Sequence, residues 1–405
     1  MRICCVRVWL GVIAALLCSV FDAYAAPSYR LVDLAGFQPD DINEQGQVAG
    51  VMPPRFGSPV AGLLQPGATA PTSIAFGTGL WDGVRLNNYG QILSKSPGIL
   101  SGALSQPFWT PDLPNGASGA ISQAMYPPGP SGNLEGPIGP DIGEDGTILV
   151  NGWDFVGGGR QSYIWKPSTP NGATGSMTLF GGGGGTNVVL NSINERGDIA
   201  GVDAKGAFVF IPTVPNGLAG VRYPLSATPM GLASSAAEIN DVGQVAGDTV
   251  VGNRRHAMFW NPQVPNGSTG VMSDLGLLPG RLQSRAVDVN NAGMVVGVAD
   301  DDSATSSSSA NLINGLSFLW TSSGGMQNLG DLLDSTGAGW QLYGVRGIND
   351  RGQIVGIGSY DPDGPGGVPL EVRGFLLNPV PEPTTLALVC SGFACCLAAR
   401  RRQRR

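Results

Sequence analysis

The 405-residue chain predicts an all-β fold: a β-propeller of seven blades, the number set by the repeat count, with four antiparallel strands per blade and a ring closed by the N-terminal strand. Three observations predict it. An apolar-Asn-x-x-Gly motif recurs at intervals of roughly 50 residues. Each copy is followed by a β-prone run ending near glycine and then by an aromatic strand. The two ends of the chain hold complementary fragments of one such unit.

The motif appears as Ile42-Asn43-Glu44-Gln45-Gly46, Leu86-Asn87-Asn88-Tyr89-Gly90, Ile193-Asn194-Glu195-Arg196-Gly197, Ile239-Asn240-Asp241-Val242-Gly243, Val289-Asn290-Asn291-Ala292-Gly293 and Ile348-Asn349-Asp350-Arg351-Gly352. A degenerate copy is Ile142-Gly143-Glu144-Asp145-Gly146. Asn first and Gly fourth suit a type I turn whose glycine is left-handed, as in short hairpin loops. Next comes a run such as Gln47-Val48-Ala49-Gly50 or Gln353-Ile354-Val355-Gly356. Its glycine lets an aromatic side chain pack close. The aromatic strand is Phe108-Trp109, Tyr163-Ile164-Trp165, Phe259-Trp260, Phe318-Leu319-Trp320 or Phe375-Leu376-Leu377. Four copies then share a Pro-Asn-Gly turn, at Pro114, Pro170, Pro215 and Pro265, before a last strand such as Met272–Gly276. An open solenoid of the same units would leave its ends unprotected. The seventh unit instead stops after its third strand, near Asn378-Pro379, and Tyr29–Leu34 reads as an orphan fourth strand, so pairing them closes a ring. Six or eight blades stay open, because the third unit is weak.

Residues 1–25 read as a secretory signal: Arg2 and Arg7, an apolar run from Val8 to Phe21, and Ala23-Tyr24-Ala25 before cleavage after Ala25. This implies the Sec translocon and signal peptidase as partners. At the other end, residues 380–405 carry Pro381-Glu382-Pro383, an apolar stretch from Leu386 to Ala399, and five arginines among the last six residues. An apolar segment followed by a basic cluster halts transfer with its charges in the cytoplasm. About 14 apolar residues are short of the roughly 20 a spanning helix needs. The tripartite pattern resembles the PEP-CTERM sorting signal of Gram-negative bacteria. That resemblance implies a short transmembrane sorting helix, processing by an exosortase, and delivery to the cell surface or an exopolysaccharide matrix, with envelope polysaccharide or another surface protein as partner. Between the two labels, residues 26–379 form the propeller. Its units resemble the HAF-type extracellular repeat, on His256-Ala257-Met258-Phe259-Trp260 beside Ile239–Gly243. This family is recognised by its repeats and carries no agreed activity.

Composition narrows the function. The 63 Gly and 31 Pro belong to repeated turns and loops, while 42% hydrophobic residues suffice for a core. With Arg2, Arg7, Asp22 and the five terminal arginines set aside, 16 basic and 29 acidic residues remain, near −13. That balance excludes a nucleic-acid binder of the usual basic kind. All six cysteines lie within the two labels, so the body has no disulfide framework.

Long variable segments at 94–106, 121–140, 152–160, 298–315 and 357–372 belong on the face opposite the short uniform turns, where binding is expected to reside. Asp300, Asp301, Asp302, Asp361 and Asp363 could ligate calcium, a hard ion that prefers oxygen, although no full calcium loop is present. No other cofactor is expected. His256 is the chain's single histidine and occupies a structural position in its repeat, so catalytic residues are not expected. Gly181–Gly185 lacks the Lys-Ser/Thr ending of a phosphate loop. The expected function is a non-enzymatic binding or structural module. The alternative is a carboxylate-based glycan hydrolase or lyase, which needs only two acids.

Overall fold

In a computed structural model of the protein, the described residues are 28–380 apart from 53–58, 77–82, 97, 101–102, 126–133, 155–158, 182–186, 228–230, 233–234, 302–314 and 363–370. Arg30–Asn378 form one compact unit. The signal peptide and the expected sorting helix lie outside the described residues. Among the described residues no helix is long and apolar enough to cross a membrane.

Among the described residues seven antiparallel sheets of four or five strands follow one another along the chain, each a separate blade, and a two-stranded ribbon, Ser226–Ala227 with Gly231–Leu232, lies between the fourth and fifth. Their innermost strands are Gln38–Ile42, Val84–Leu86, Leu134–Ile138, Val189–Ile193, Ser235–Ile239, Gln283–Val289 and Trp340–Ile348. Blade 3, built on the degenerate motif copy, has its full four strands. Blade 2 gains an extra strand, Gly98–Leu100, inside one of the variable segments. The seventh blade is completed by Ser28–Asp33, paired against Glu371–Val380. At that seam Leu34 N–H donates to the Gly374 carbonyl at 2.9 Å, Gly374 N–H returns to Ala35, and Arg373 meets Asp33 at 2.5 Å.

The core lies between blades. One apolar cluster joins Ala49, Leu63 and Ile74 of blade 1 to Leu86, Ile92 and Trp109 of blade 2. The next joins Leu93 and Phe108 to Ile148, Tyr163 and Trp165 of blade 3. Two glycine columns make this packing possible. In the second strands, a Cβ on Gly201, Gly297 or Gly356 would lie 2.4–2.7 Å from the ring of Phe208, Phe318 or Phe375, its cross-strand partner. In the fourth strands, a Cβ on Gly119, Gly175 or Gly270 would lie 2.5–2.7 Å from Trp109, Trp165 or Trp260. The ring therefore covers its neighbour's backbone directly, as the sequence pattern predicts.

Both turn predictions hold. The motif glycines Gly46, Gly90, Gly146, Gly197, Gly243, Gly293 and Gly352 all have φ between 72° and 89°. In the Pro-Asn-Gly turns the asparagine is left-handed, with Asn115, Asn171, Asn216 and Asn266 at φ 55–60°. A type II turn with proline second requires positive φ in its third residue, and Asn tolerates it better than most. The two sets of turns lie on one face: Asn115 N–H donates to the Tyr89 carbonyl, Asn171 to Asp145, Asn216 to Arg196 and Asn266 to Val242, at 2.7–2.9 Å.

Candidate functional site

The motif asparagine has two jobs. Its Oδ1 accepts from backbone N–H groups of its own turn: Asn43 from Gln45 and Gln47, Asn240 from Val242 and Gln244. Its Nδ2 donates to the neighbouring blade. Asn43 reaches the carbonyl of Asn87, Asn87 that of Gly143, Asn194 that of Asn240, Asn240 that of Asn290, Asn290 that of Asn349, and Asn349 that of Asn43, at 2.8–3.2 Å. Aspartate could accept but not donate, which is why the position is an amide. The ring lacks its link from blade 3 to blade 4, where Gly143 has no side chain to give.

The residue after each asparagine forms a second ring. Backbone N–H groups of Glu44, Asn88, Glu195, Asp241, Asn291 and Asp350 donate to the side chains of Asn88, Glu144, Asp241, Asn291, Asp350 and Glu44 respectively, at 2.6–2.9 Å. These seven positions hold five carboxylates. They surround one mouth of the axial channel, where a cavity of about 140 Å³ is lined by residues of all seven blades. That is well under the roughly 300–1,000 Å³ of ordinary small-molecule pockets. Burial pushes Glu144 up to about 8, helped by Asp241, Asp141 and Glu195; burial also raises Glu44.

A third tier lies deeper. A β-bulge in the innermost strand precedes Asp41, Ser192, Glu238, Asp288 and Gly347. The bulge aims this position along the channel wall towards the next blade. Asp41 accepts from Leu86 N–H, Asp141 from Ile193, Ser192 from Ile239 and Asp288 from Ile348, at 2.7–3.3 Å. Arg85 occupies the same position in blade 2 and reaches Glu238 of blade 5 at 3.2 Å and Asp41 at 4.0 Å. Ser192 Oγ also donates to Glu238. Burial opposes the Arg85 charge, but Glu238, Asp41, Asp141 and Asp288 outweigh it and hold the guanidinium firmly protonated. Burial raises the acids in turn: Glu238 well above the usual range and Asp288 up to about 7. Chemically, the channel is a proton-holding carboxylate stack around one guanidinium. Farther along lie Asp40, Lys95 and Arg346; burial, with Arg85 and Arg346 nearby, lowers Lys95 to about 8.

Sequence reasoning nominated no particular carboxylates here. The signal was present in the aligned copies: the position after Asn reads Glu44, Asn88, Glu144, Glu195, Asp241, Asn291, Asp350, each able to accept a hydrogen bond. Elsewhere, Asp300 pairs with Arg285 at 3.3 Å and Asp301 with Arg281 at 2.5 Å. Asp361 N–H donates to Gly339. Asp302 and Asp363 lie outside the described residues, as do Ala25, Pro381, Glu382 and Pro383 and part of each variable segment. Among the described residues no group of three His, Cys, Asp or Glu side chains is arranged to hold a metal. His256 Nδ1 lies 2.9 Å from Asp274 on the fourth strand of its own blade.

Fold and site together define a seven-bladed β-propeller with a hydrogen-bonded polar axis. Residues 379–402 match the PEP-CTERM protein-sorting motif, so the C-terminal end carries a sorting signal, which implies export, C-terminal anchoring and exosortase processing. No curated protein matches the chain significantly. Among solved structures, it is similar to the β-propeller domain of the Trilobed protease from Pyrococcus furiosus, described as having an open velcro topology (12% identity, 77% of this chain and 98% of that one, TM-score 0.36). It is also similar to the WD40 domain of Toxoplasma gondii coronin (10% identity, 89% and 87% covered, TM-score 0.39). Both likenesses concern fold alone.

Proposed function

We propose that the protein is a non-enzymatic binding or structural module of the cell surface or exopolysaccharide matrix, released or anchored there after exosortase processing. The observation that carries this reading is a sorting motif at residues 379–402 on a ring whose axial carboxylates are already engaged. Asp41, Asp141 and Asp288 hold neighbouring backbones, and Glu238 is paired with Arg85, so they serve cohesion. Recognition falls to the variable segments on the face opposite the turns, where a rigid scaffold carries tolerant loops. Envelope polysaccharide or another surface protein is the partner, and calcium bound by Asp300, Asp301, Asp302, Asp361 or Asp363 would be an accessory to it.

A glycan-array screen of the purified full chain, with and without calcium, scored for binding and for cleavage, tests this reading. Saturable binding without cleavage is expected, and replacing the variable segments with short loops should abolish it. Release of shortened glycans would establish the alternative, a carboxylate-based hydrolase or lyase. For sorting, Glu382→Ala should leave the C-terminal segment uncleaved, read by mass spectrometry of the membrane fraction.

A further inference from the structure

Blades 2 to 5 share an interlocking part that blades 1 and 6 lack; in blade 6 only Gln244 and Phe259 approach the place of a Cβ on Gly293, at 3.4–3.5 Å. In blades 2 to 5 the asparagine of the Pro-Asn-Gly turn seats on the motif glycine of the same blade: a Cβ on Gly90, Gly146, Gly197 or Gly243 would lie 2.8–3.1 Å from the Cα of Asn115, Asn171, Asn216 or Asn266. The seated asparagine donates its N–H to the carbonyl just before that glycine. In three blades its Nδ2 donates one residue earlier, as Asn115 does to Asn88, Asn216 to Glu195 and Asn266 to Asp241. Its own carbonyl accepts from the preceding blade, Asn115 from Gln47 Nε2 at 2.9 Å and Asn171 from Gln91 Nε2 at 3.3 Å.

In blade 1 the corresponding turn is Gln65-Pro66-Gly67-Ala68, and no asparagine reaches Gly46. The Gln45 carbonyl, which should receive the turn N–H, takes a long 3.4 Å contact from Arg351. Gln353, the equivalent of Gln47, bonds the end of its own third strand, Nε2 to Asn378 at 2.7 Å as Gln47 Nε2 bonds Gln65, and its Oε1 lies 3.0 Å from the place of a Cβ on Gly46. Beside them lies a cavity of about 500 Å³ walled by Phe37, Val48, Leu64 and Leu376. That volume lies within the roughly 300–1,000 Å³ of formed ligand pockets.

We infer that this seam pocket receives an aliphatic-Pro-Asn-Gly turn presented by a partner polypeptide, which completes blade 1 as the chain's own turns complete blades 2 to 5. The occupant's asparagine N–H donates to the Gln45 carbonyl and its Nδ2 to Glu44. Its carbonyl accepts from Gln353, displacing Arg351. The site is separate from the variable-loop face and stands or falls independently of it.

The probe is a labelled cyclic peptide with the sequence of Phe259–Met272, titrated by anisotropy against the purified full chain. Saturable binding is expected. An Asn266→Ala version of the peptide should bind at least about tenfold more weakly, as one or two hydrogen bonds imply. Ala68→Trp, at an exposed position on the pocket's rim, should weaken binding at least about tenfold without lowering the melting temperature. Arg351→Ala should tighten it about threefold, and this second variant keeps the test open if Ala68→Trp misfolds. Equal binding of the two peptides, no saturation below about 1 mM, or displacement by N-acetylglucosamine overturns the proposal. So does concentration-dependent dimerisation that Ala68→Trp abolishes, since the occupant is then a second copy.

Discussion

Asn349 in the last blade donates its Nδ2 to the main-chain carbonyl of Asn43 in the first, 3.0 Å away and 306 residues distant in sequence. The same side chain caps its own turn, so a single amide serves local and global order together. Replacing the equivalent asparagine of blade 5, Asn240, with an isosteric carboxylate should separate the two roles. Asn240→Asp keeps the acceptor for Val242 and Gln244 but sets a negative oxygen against the carbonyl of Asn290. A loss of about 2–4 kcal/mol is expected from chemical denaturation. Gly143→Asn should act in the opposite sense. A Cβ there meets Ile193 at an ordinary 3.4 Å, and the new amide can supply the missing link to Asn194. A gain of about 1 kcal/mol is expected.

Proton binding in the channel sets a pH dependence. Glu144 is raised by burial from 4.5 to about 8 in the folded state. Between those values the folded protein keeps a proton that the unfolded chain has lost. Its contribution is therefore fullest at low pH and declines as pH rises, by at most about 1.4 kcal/mol per unit. Glu144→Gln retains an acceptor for Asn88 N–H and removes the decline. Urea midpoints at pH 5 and pH 9 should fall less between the two in the variant than in the wild type. Asp288, at about 7, leaves a residual slope in both.

The second-strand glycines make a steric prediction. A Cβ on Gly297 would lie 2.2 Å from the Arg285 carbonyl oxygen and 2.4 Å from the Phe318 ring. Backbone cannot move aside as a flexible side-chain tip can, so Gly297→Ala should cost about 2–4 kcal/mol. Gly36→Ala meets nothing within 4 Å and should be near neutral. Paired melting curves of the two variants distinguish a steric effect from a general glycine effect.

Closure of the ring can be tested by removal. Without residues 26–33, Glu371–Val380 becomes an unpaired edge with open backbone groups, a template for association. The truncated protein should aggregate on size-exclusion chromatography, and a peptide of residues 27–35 added during refolding should restore a monomeric peak.

Much of the architecture was legible because it is local chemistry repeated. The left-handed Gly46 and Asn115 follow from turn preferences within a few residues, and the aromatic-on-glycine columns from strand alternation. The orphan strand at Ser28–Asp33 was legible from what the seventh unit lacked. The degenerate motif at Gly143 lowered the apparent strength of unit three, yet its strands still pair, because the turn needs Gly146 more than it needs the asparagine. The sites placed in the variable segments stand apart, since segment length shows tolerance and carries no chemistry.

By itself the sequence determined the repeat, its turns, the closing strand and the C-terminal sorting motif, because each depends on residues adjacent in the chain or on a missing part. Tertiary structure alone decided that Asp41, Asp141, Glu238 and Asp288 stack around Arg85 on one axis. Sequence spacing sets which residues share a column but not how far that column lies from the axis. Only when seven twisted sheets close into a ring do positions tens of residues apart come close enough for their charges to act on one another, and burial then strengthens those interactions.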